Sequence, residues 1–250
     1  MEKTEKQHLR FGLIGKNISY SFSKGYFTQK FKDLGLDNHS YENFDFQEIE
    51  EFNAVVKNSS NIKGCNVTIP YKESVIPYLD ELHPKAKKIG AVNTIHFTKK
   101  GRIGYNTDAY GFQKSIEPYL KQHHTKALIL GTGGASKAAK YVLEEKGIRS
   151  TYVSRTPSEN QFSYQQLDEN VMRQHTVIVN CTPLGTHPNT TQKPAIPYQL
   201  ITDKHLLFDL IYNPEKTAFL RTGEALGASI CNGQNMLEYQ AEEAWKIWNS

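Results

Sequence analysis

Apolar and polar positions follow two rhythms along the first hundred residues. HLRFGLIG (8–15) reads as a strand that stops on glycine, followed by a serine-rich loop, NISYSFS (17–23). KGYFTQKFKDLG (24–35) carries Phe27, Phe31 and Leu34 at helical spacing and ends on glycine. HSYENFDF (39–46) alternates like a strand. DFQEIEEFNAVVKNS (45–59) places Ile49, Phe52 and Val56 on one side of a helix. GCNVTIP (64–70) alternates again: Asn66 and Thr68 share one face, Cys65, Val67 and Ile69 the other. KESVIPYLDELHPKAKKIG (72–90) reads as helical but is interrupted by Pro77 and Pro84. AVNTIHFTKKGRIGYNTD (91–108) reads as a hairpin turning at Lys100-Gly101. Strand and helix thus alternate, which predicts a mostly parallel sheet covered on both faces.

The second half repeats the alternation with longer apolar runs. KALIL (126–130) has the character of a buried strand and leads into GTGGASKAAKYVLEEKG (131–147), a glycine loop and a helix. RSTYVSRTP (149–157), TVIVNCTPLGT (176–186) and HLLFDLIYNP (205–214) are further strand-then-loop units, and GASICNG (227–233) is a short last strand. NMLEYQAEEAWKIWNS (235–250) is an amphipathic helix with Leu237, Ala241, Ala244 and Trp248 in one stripe. Gln240 lies within that stripe, either as a satisfied core amide or as the lining of a cleft.

Composition narrows the class of protein. The 250 residues suffice for two modest domains, and 38% hydrophobic with 22% charged residues suits a globular protein. No run of about 18 apolar residues exists, so no membrane span is expected. The start, MEKTEKQ, is charged and lacks the apolar core of a signal peptide. Cys65, Cys181 and Cys231 are few and far apart, without metal-ligand or disulfide spacing, which predicts no metal and a cytoplasmic location. A net charge of +4, with no basic block, argues against a nucleic-acid partner and suits an anionic small molecule.

Two sets of residues carry chemistry. A strand, GTGGAS and a helix form the context of a dinucleotide loop. Gly131 allows the tight turn, Gly133 lets amides approach a pyrophosphate, and the small Ser136 permits close helix packing. The helix N-terminus adds partial positive charge. The next strand ends in Ser154-Arg155-Thr156, where an acid would bind a ribose 2′-hydroxyl; arginine fits a 2′-phosphate and points to NADP.

The other set is polar but uncharged. Asn66 and Thr68 on their strand face, and Asn93 within AVNT, must find hydrogen-bond partners or face a cleft. Ser21 and Ser23 offer two hydroxyls to one anionic group or cap a turn or helix. Asn106 and Asp108 stand at a strand end that also suits a helix N-cap. Lys72 follows Pro70. Together these suit a polyhydroxylated acid.

The order of the motifs resembles the shikimate dehydrogenase family, whose members reduce 3-dehydroshikimate to shikimate with NADPH. The likeness runs nearly the whole chain, through SFS (21–23), NVTIPYK (66–72), GAVNT (90–94) and NTDAYGF (106–112). It continues through GTGGAS, SRT, NCTPLG, FDLIYNPEKTAFL (208–220) and the final NG..ML..Q (232–240). It implies an N-terminal α/β catalytic domain (1–106 with 235–250) and a Rossmann domain, a doubly wound parallel sheet (107–234). By position, the resemblance implies a catalytic pair of Lys72 and Asp108. It places the substrate carboxylate at Ser21 and Ser23 with Tyr212 near it. The ring hydroxyls fall to Thr68, Asn93, Asp108 and Gln240, with Asn66 in support. The cofactor falls to Gly131, Thr132, Gly133, Gly134, Ala135, Ser136, Ser154, Arg155, Thr156 and the backbone of Gly233. Ser154 stands where the family commonly has Asn, and Asn232 where it commonly has an acid. A quinate/shikimate dehydrogenase using NAD and a non-catalytic shikimate-sensing module are the other readings, as monomer or homodimer.

Overall fold

The structure, a computed structural model, describes residues 7–19, 21–57 and 61–250. Residues 1–6, Tyr20 of the serine loop and the end of the helix expected over 45–59 lie outside the described residues. The chain forms two compact units. One runs to Thr107 and includes Ala241–Ser250; the other is Asp108–Gln240.

In the first unit, β1 (Leu9–Gly15), α1 (Phe22–Asp33), β2 (His39–Asp45), α2 (Phe52–Lys57) and β3 (Ile62–Val67) alternate as the pattern predicts. After β3 come β4 (Glu81–Leu82), α3 (Pro84–Ile89), β5 (Thr94–Thr98) and β6 (Gly101–Tyr105). The sheet order is β2-β1-β3-β5-β6-β4. β1 runs parallel to β2 and β3, and β4 to β6. The hairpin β5–β6 and its pairing with β3 are antiparallel, so the sheet is mixed.

The long helix expected over 72–90 is replaced by turns, a 3₁₀ turn at Ile76–Tyr78, β4 and the six-residue α3. The two prolines explain this. Pro77 sits in the 3₁₀ turn, and Pro84 opens α3, where its missing N–H costs nothing.

Successive residues of β1 face opposite ways. Phe11 and Leu13 pack with Phe27, Phe31 and Tyr41, whereas Ile14 packs with Phe52, Val67 and Ile95. The C-terminal residues Ala241, Ala244 and Trp248 join the Phe11 cluster. Trp248 Nε1 donates to Ile95 O at 3.0 Å. Gly64 of β3 makes this possible, because a Cβ there would fall 2.2 Å from Trp248 Nε1.

The second unit contains α4 (Asp108–Ile116), β7 (Lys126–Leu130), α5 (Gly134–Glu145), β8 (Arg149–Ser154) and β9 (Phe162–Ser163). It continues with α6 (Glu169–Gln174), β10 (Val177–Asn180), β11 (Leu206–Asp209), α7 (Ala218–Ala225), β12 (Ser229–Cys231) and the start of α8 (Gln234–Trp248). All its strand pairings are parallel, in the order β12-β11-β10-β7-β8-β9. Counted within this unit, that is the 3-2-1-4-5-6 order of a dinucleotide-binding sheet, with its switch point between β7 and β10. The apolar runs are short and continuous because both faces are covered; Leu128, Leu130, Ile178 and Leu207 are buried in one cluster. Among the described residues no helix is long and apolar enough to cross a membrane, and no group of three or more His, Cys, Asp or Glu could hold a metal.

Candidate nucleotide and substrate sites

The switch point of the second unit lies at the C-terminal ends of β7 and β10, where such sheets bind ligands. Leu130 stands opposite Asn180 there. Gly131 has φ +98°, which favours glycine, and a Cβ on it would meet Thr182 Cγ2 at 3.2 Å and Cys181 O at 3.3 Å. Gly133 differs. It is the N-cap of α5 with φ −76°, and a Cβ on it would meet nothing within 4 Å. Neither its backbone nor protein packing requires glycine. The open space at a helix N-terminus is what a phosphate needs.

Ser136 is buried, and its hydroxyl donates to Gly133 O at 2.6 Å, closing the turn onto the helix. Thr132 is exposed, and Gly134 and Ala135 are half-buried at the helix start. At the end of β8, Ser154 Oγ accepts from Thr156 N at 3.2 Å, and Arg155 and Thr156 are exposed. The loop therefore fits a phosphorylated dinucleotide. Gly233 is packed more tightly than expected: a Cβ would fall 2.1 Å from Leu210 O. Its N–H donates to Ile211 O and its carbonyl accepts from Leu237 N, each at 3.0 Å, so its backbone groups already serve the fold. Asn232 Nδ2 donates to Glu215 O at 2.9 Å. Tyr212 is half-buried in the loop after β11.

In the first unit the serine pair sits at the start of α1, so the loop expected over 17–23 gives way to helix earlier than its pattern suggests. Ser21 is the N-cap and accepts from Ser23 N at 3.2 Å; Ser23 is in the first turn and buried. Two hydroxyls thus stand at the positive end of a helix.

The face of β3 departs from expectation. The strand ends at Val67, Ile69 is 75% exposed, and Thr68 is half-buried beyond the strand. Pro70 cannot extend the ladder, and the chain leaves the sheet. Asn66 is buried rather than lining a cleft. Its Oδ1 accepts from Tyr41 Oη at 2.7 Å, and its Nδ2 donates to Thr94 Oγ1 at 3.4 Å. Asn93 lies before β5, not within a strand. Its Oδ1 accepts from Thr107 N at 2.6 Å, and its Nδ2 donates to Thr107 Oγ1 at 3.0 Å. Asn106 Nδ2 donates to Ala91 O at 2.9 Å. These amides bind together the chain segments around β5.

Lys72 is half-buried in a turn with a fixed backbone. Its carbonyl accepts from Val92 N at 2.7 Å, and the flanking Tyr71 N donates to Thr68 O at 2.9 Å. Asp108 is buried at the first position of α4, and Gln240 is buried in α8, where its Nε2 donates to Leu237 O at 3.0 Å.

Tyr41 was not legible as part of this arrangement. It is buried on β2 and stacks on Phe27 with ring centroids 4.8 Å apart. Burial pushes its hydroxyl well above the ordinary tyrosine range, which keeps it a neutral donor to Asn66. Its alternation within HSYENFDF marks an inward residue, but only strand pairing brings it to Asn66, 25 positions away.

Residues 13–95 match the family model of the shikimate dehydrogenase substrate binding domain. The chain is 38% identical over 248 residues to shikimate dehydrogenase (NADP(+)) of Clostridium botulinum, covering 95% of each chain. It resembles the crystal structure of shikimate dehydrogenase 1 from Peptoclostridium difficile with TM-score 0.84 and 36% identity, over 96% of this chain and 91% of that one. Shikimate 5-dehydrogenase from Thermus thermophilus, solved with NADP(H) and shikimate, matches with TM-score 0.84 and 30% identity, over 96% and 93% of the two chains.

Proposed function

The chain belongs to the shikimate dehydrogenase family, and from that premise we propose that it catalyses the reversible, NADPH-dependent reduction of 3-dehydroshikimate to shikimate. The observation that carries the reading is the glycine turn at the switch point, where Gly133 leaves room that neither backbone nor packing demands. The loop Gly131–Ser136 holds the pyrophosphate, and exposed Arg155 with Thr156 takes the 2′-phosphate. When bound, NADPH supplies the hydride received by the C3 carbonyl carbon of the substrate.

The chain's own residues do the rest. Ser21 and Ser23, at the N-terminus of α1, bind the substrate carboxylate, with Tyr212 beside it. Thr68, Asn93 and Gln240 hold the ring hydroxyls, and Asn66 supports them from inside the sheet. Lys72 stabilises the negative charge that grows on the ketone oxygen and delivers the proton to it. Asp108 orients Lys72 and accepts from a neighbouring hydroxyl. The turn fixes the Lys72 backbone, which supports this role by anchoring the stem that carries the ammonium.

The test is an absorbance assay of the purified protein with shikimate and NADP+, with quinate and NAD+ alongside. Formation of NADPH with shikimate is the expected outcome. Nucleotide reduction only with quinate and NAD+, or with neither substrate, would overturn the reading.

A further inference from the structure

Asp209 ends β11 beside Asn180, its partner in register at the end of β10. Both are wholly buried, and no cationic side chain among the described residues pairs with the acid. Five hydrogen bonds hold this network. Asp209 Oδ1 accepts from Asn180 Nδ2 at 3.0 Å and from Ile211 N at 3.1 Å; its Oδ2 accepts from Thr217 Oγ1 at 2.6 Å. Asn180 Oδ1 in turn accepts from Thr182 N at 3.0 Å and Thr182 Oγ1 at 2.7 Å.

An ionised carboxylate only accepts. Asp209 therefore dictates which way the Asn180 amide turns: its NH2 toward the acid, its oxygen toward Thr182. Thr182 is the residue against which Gly131 is packed. On the other arm, Thr217 caps α7 by accepting from Leu220 N, and Ile211 precedes Tyr212. Burial raises the Asp209 carboxyl to about 6, which leaves the acceptor-only form dominant near neutral pH.

We propose that Asp209 is a positioning residue for the nucleotide: held by Thr217, it fixes the Asn180 amide and through it Thr182 and the loop after β10, which stands against the glycine turn. This rests on the nucleotide reading given above.

Calorimetric titration of the apo protein with NADP+ tests it, beside KM values for both substrates. Asp209→Asn should weaken NADP+ binding about tenfold, the worth of one hydrogen bond to a charged group. KM for NADP+ should rise with it, while KM for shikimate stays within about twofold. Thr217→Val, which removes one donor to the acid, should weaken NADP+ in the same direction, and Thr217→Ser should restore wild-type binding. If Asp209→Asn does not fold, the Thr217 pair decides. A lowered Tm with unchanged NADP+ affinity in these variants would make Asp209 a structural acid only. A wild type that binds no NADP+ would sink the nucleotide reading and this inference together. Active wild type with unaffected variants would sink this inference alone.

Discussion

Gly131 and Thr182 meet across the switch point: a Cβ on the glycine would stand 3.2 Å from Thr182 Cγ2. Two residues on, Gly133 has no such neighbour. The two glycines should therefore fail differently. Gly131→Ala combines a φ of +98° with crowding and should cost about 1–3 kcal/mol of stability. Gly133→Val should cost only about 1 kcal/mol of stability, as a poorer helix N-cap than glycine, yet raise KM for NADP+. Equal NADP+ kinetics in Gly133→Val and wild type would show that the space serves no phosphate.

Lys72→Ala should lower kcat by about 10²–10⁴, with a milder effect on the KM of shikimate. Steady-state kinetics decide it. Turnover like that of the wild type would remove Lys72 from the chemistry.

Arg155→Ala should raise KM for NADPH more than for NADH. The side chain is exposed at the end of β8, so its loss leaves the core untouched. Equal changes for both nucleotides would refute the contact with a 2′-phosphate.

Trp248 fills the space over Gly64 and donates to Ile95 O. Trp248→Ala should destabilise the protein by about 3–5 kcal/mol, through cavity and lost hydrogen bond together. Denaturant midpoints measure this. A loss below about 1 kcal/mol would mean that the helix end adds little to the first unit.

Asp209 also sets a pH dependence. Burial raises its carboxyl to about 6 in the folded chain, above the ordinary aspartate value. The folded state therefore keeps this proton where the unfolded state has lost it. The stability so contributed is complete below the unfolded value and is lost as pH rises through about 6. Asp209→Asn cannot titrate. Relative to wild type, its stability should increase from about pH 4 to pH 7 by up to about 3 kcal/mol. A difference that does not vary with pH would show ordinary ionisation.

Local chemistry made much of the molecule legible before any coordinates. KALIL followed by GTGGAS names a strand, a turn and a helix start, because each depends on neighbours only a few residues away. The order of motifs from SFS to the final glutamine resembles that of the family along nearly the whole chain. Local pattern misled where distant residues compete. Asn66 and Thr68 looked like one polar face, but β3 stops between them. Asn66 and Asn93 have to find partners or face a cleft, and only the fold brings Tyr41 to the one and Thr107 to the other.

The strand order β12-β11-β10-β7-β8-β9, the seat of Trp248 on Gly64 and the grip of Asp209 on Asn180 were not readable from any local stretch. Each joins residues far apart in the chain. Periodicity reports which side of an element is apolar, but not which partner will cover it. That choice is made when whole elements pack, and buried polar groups such as Asp209 must then find their donors among whatever the packing brings near.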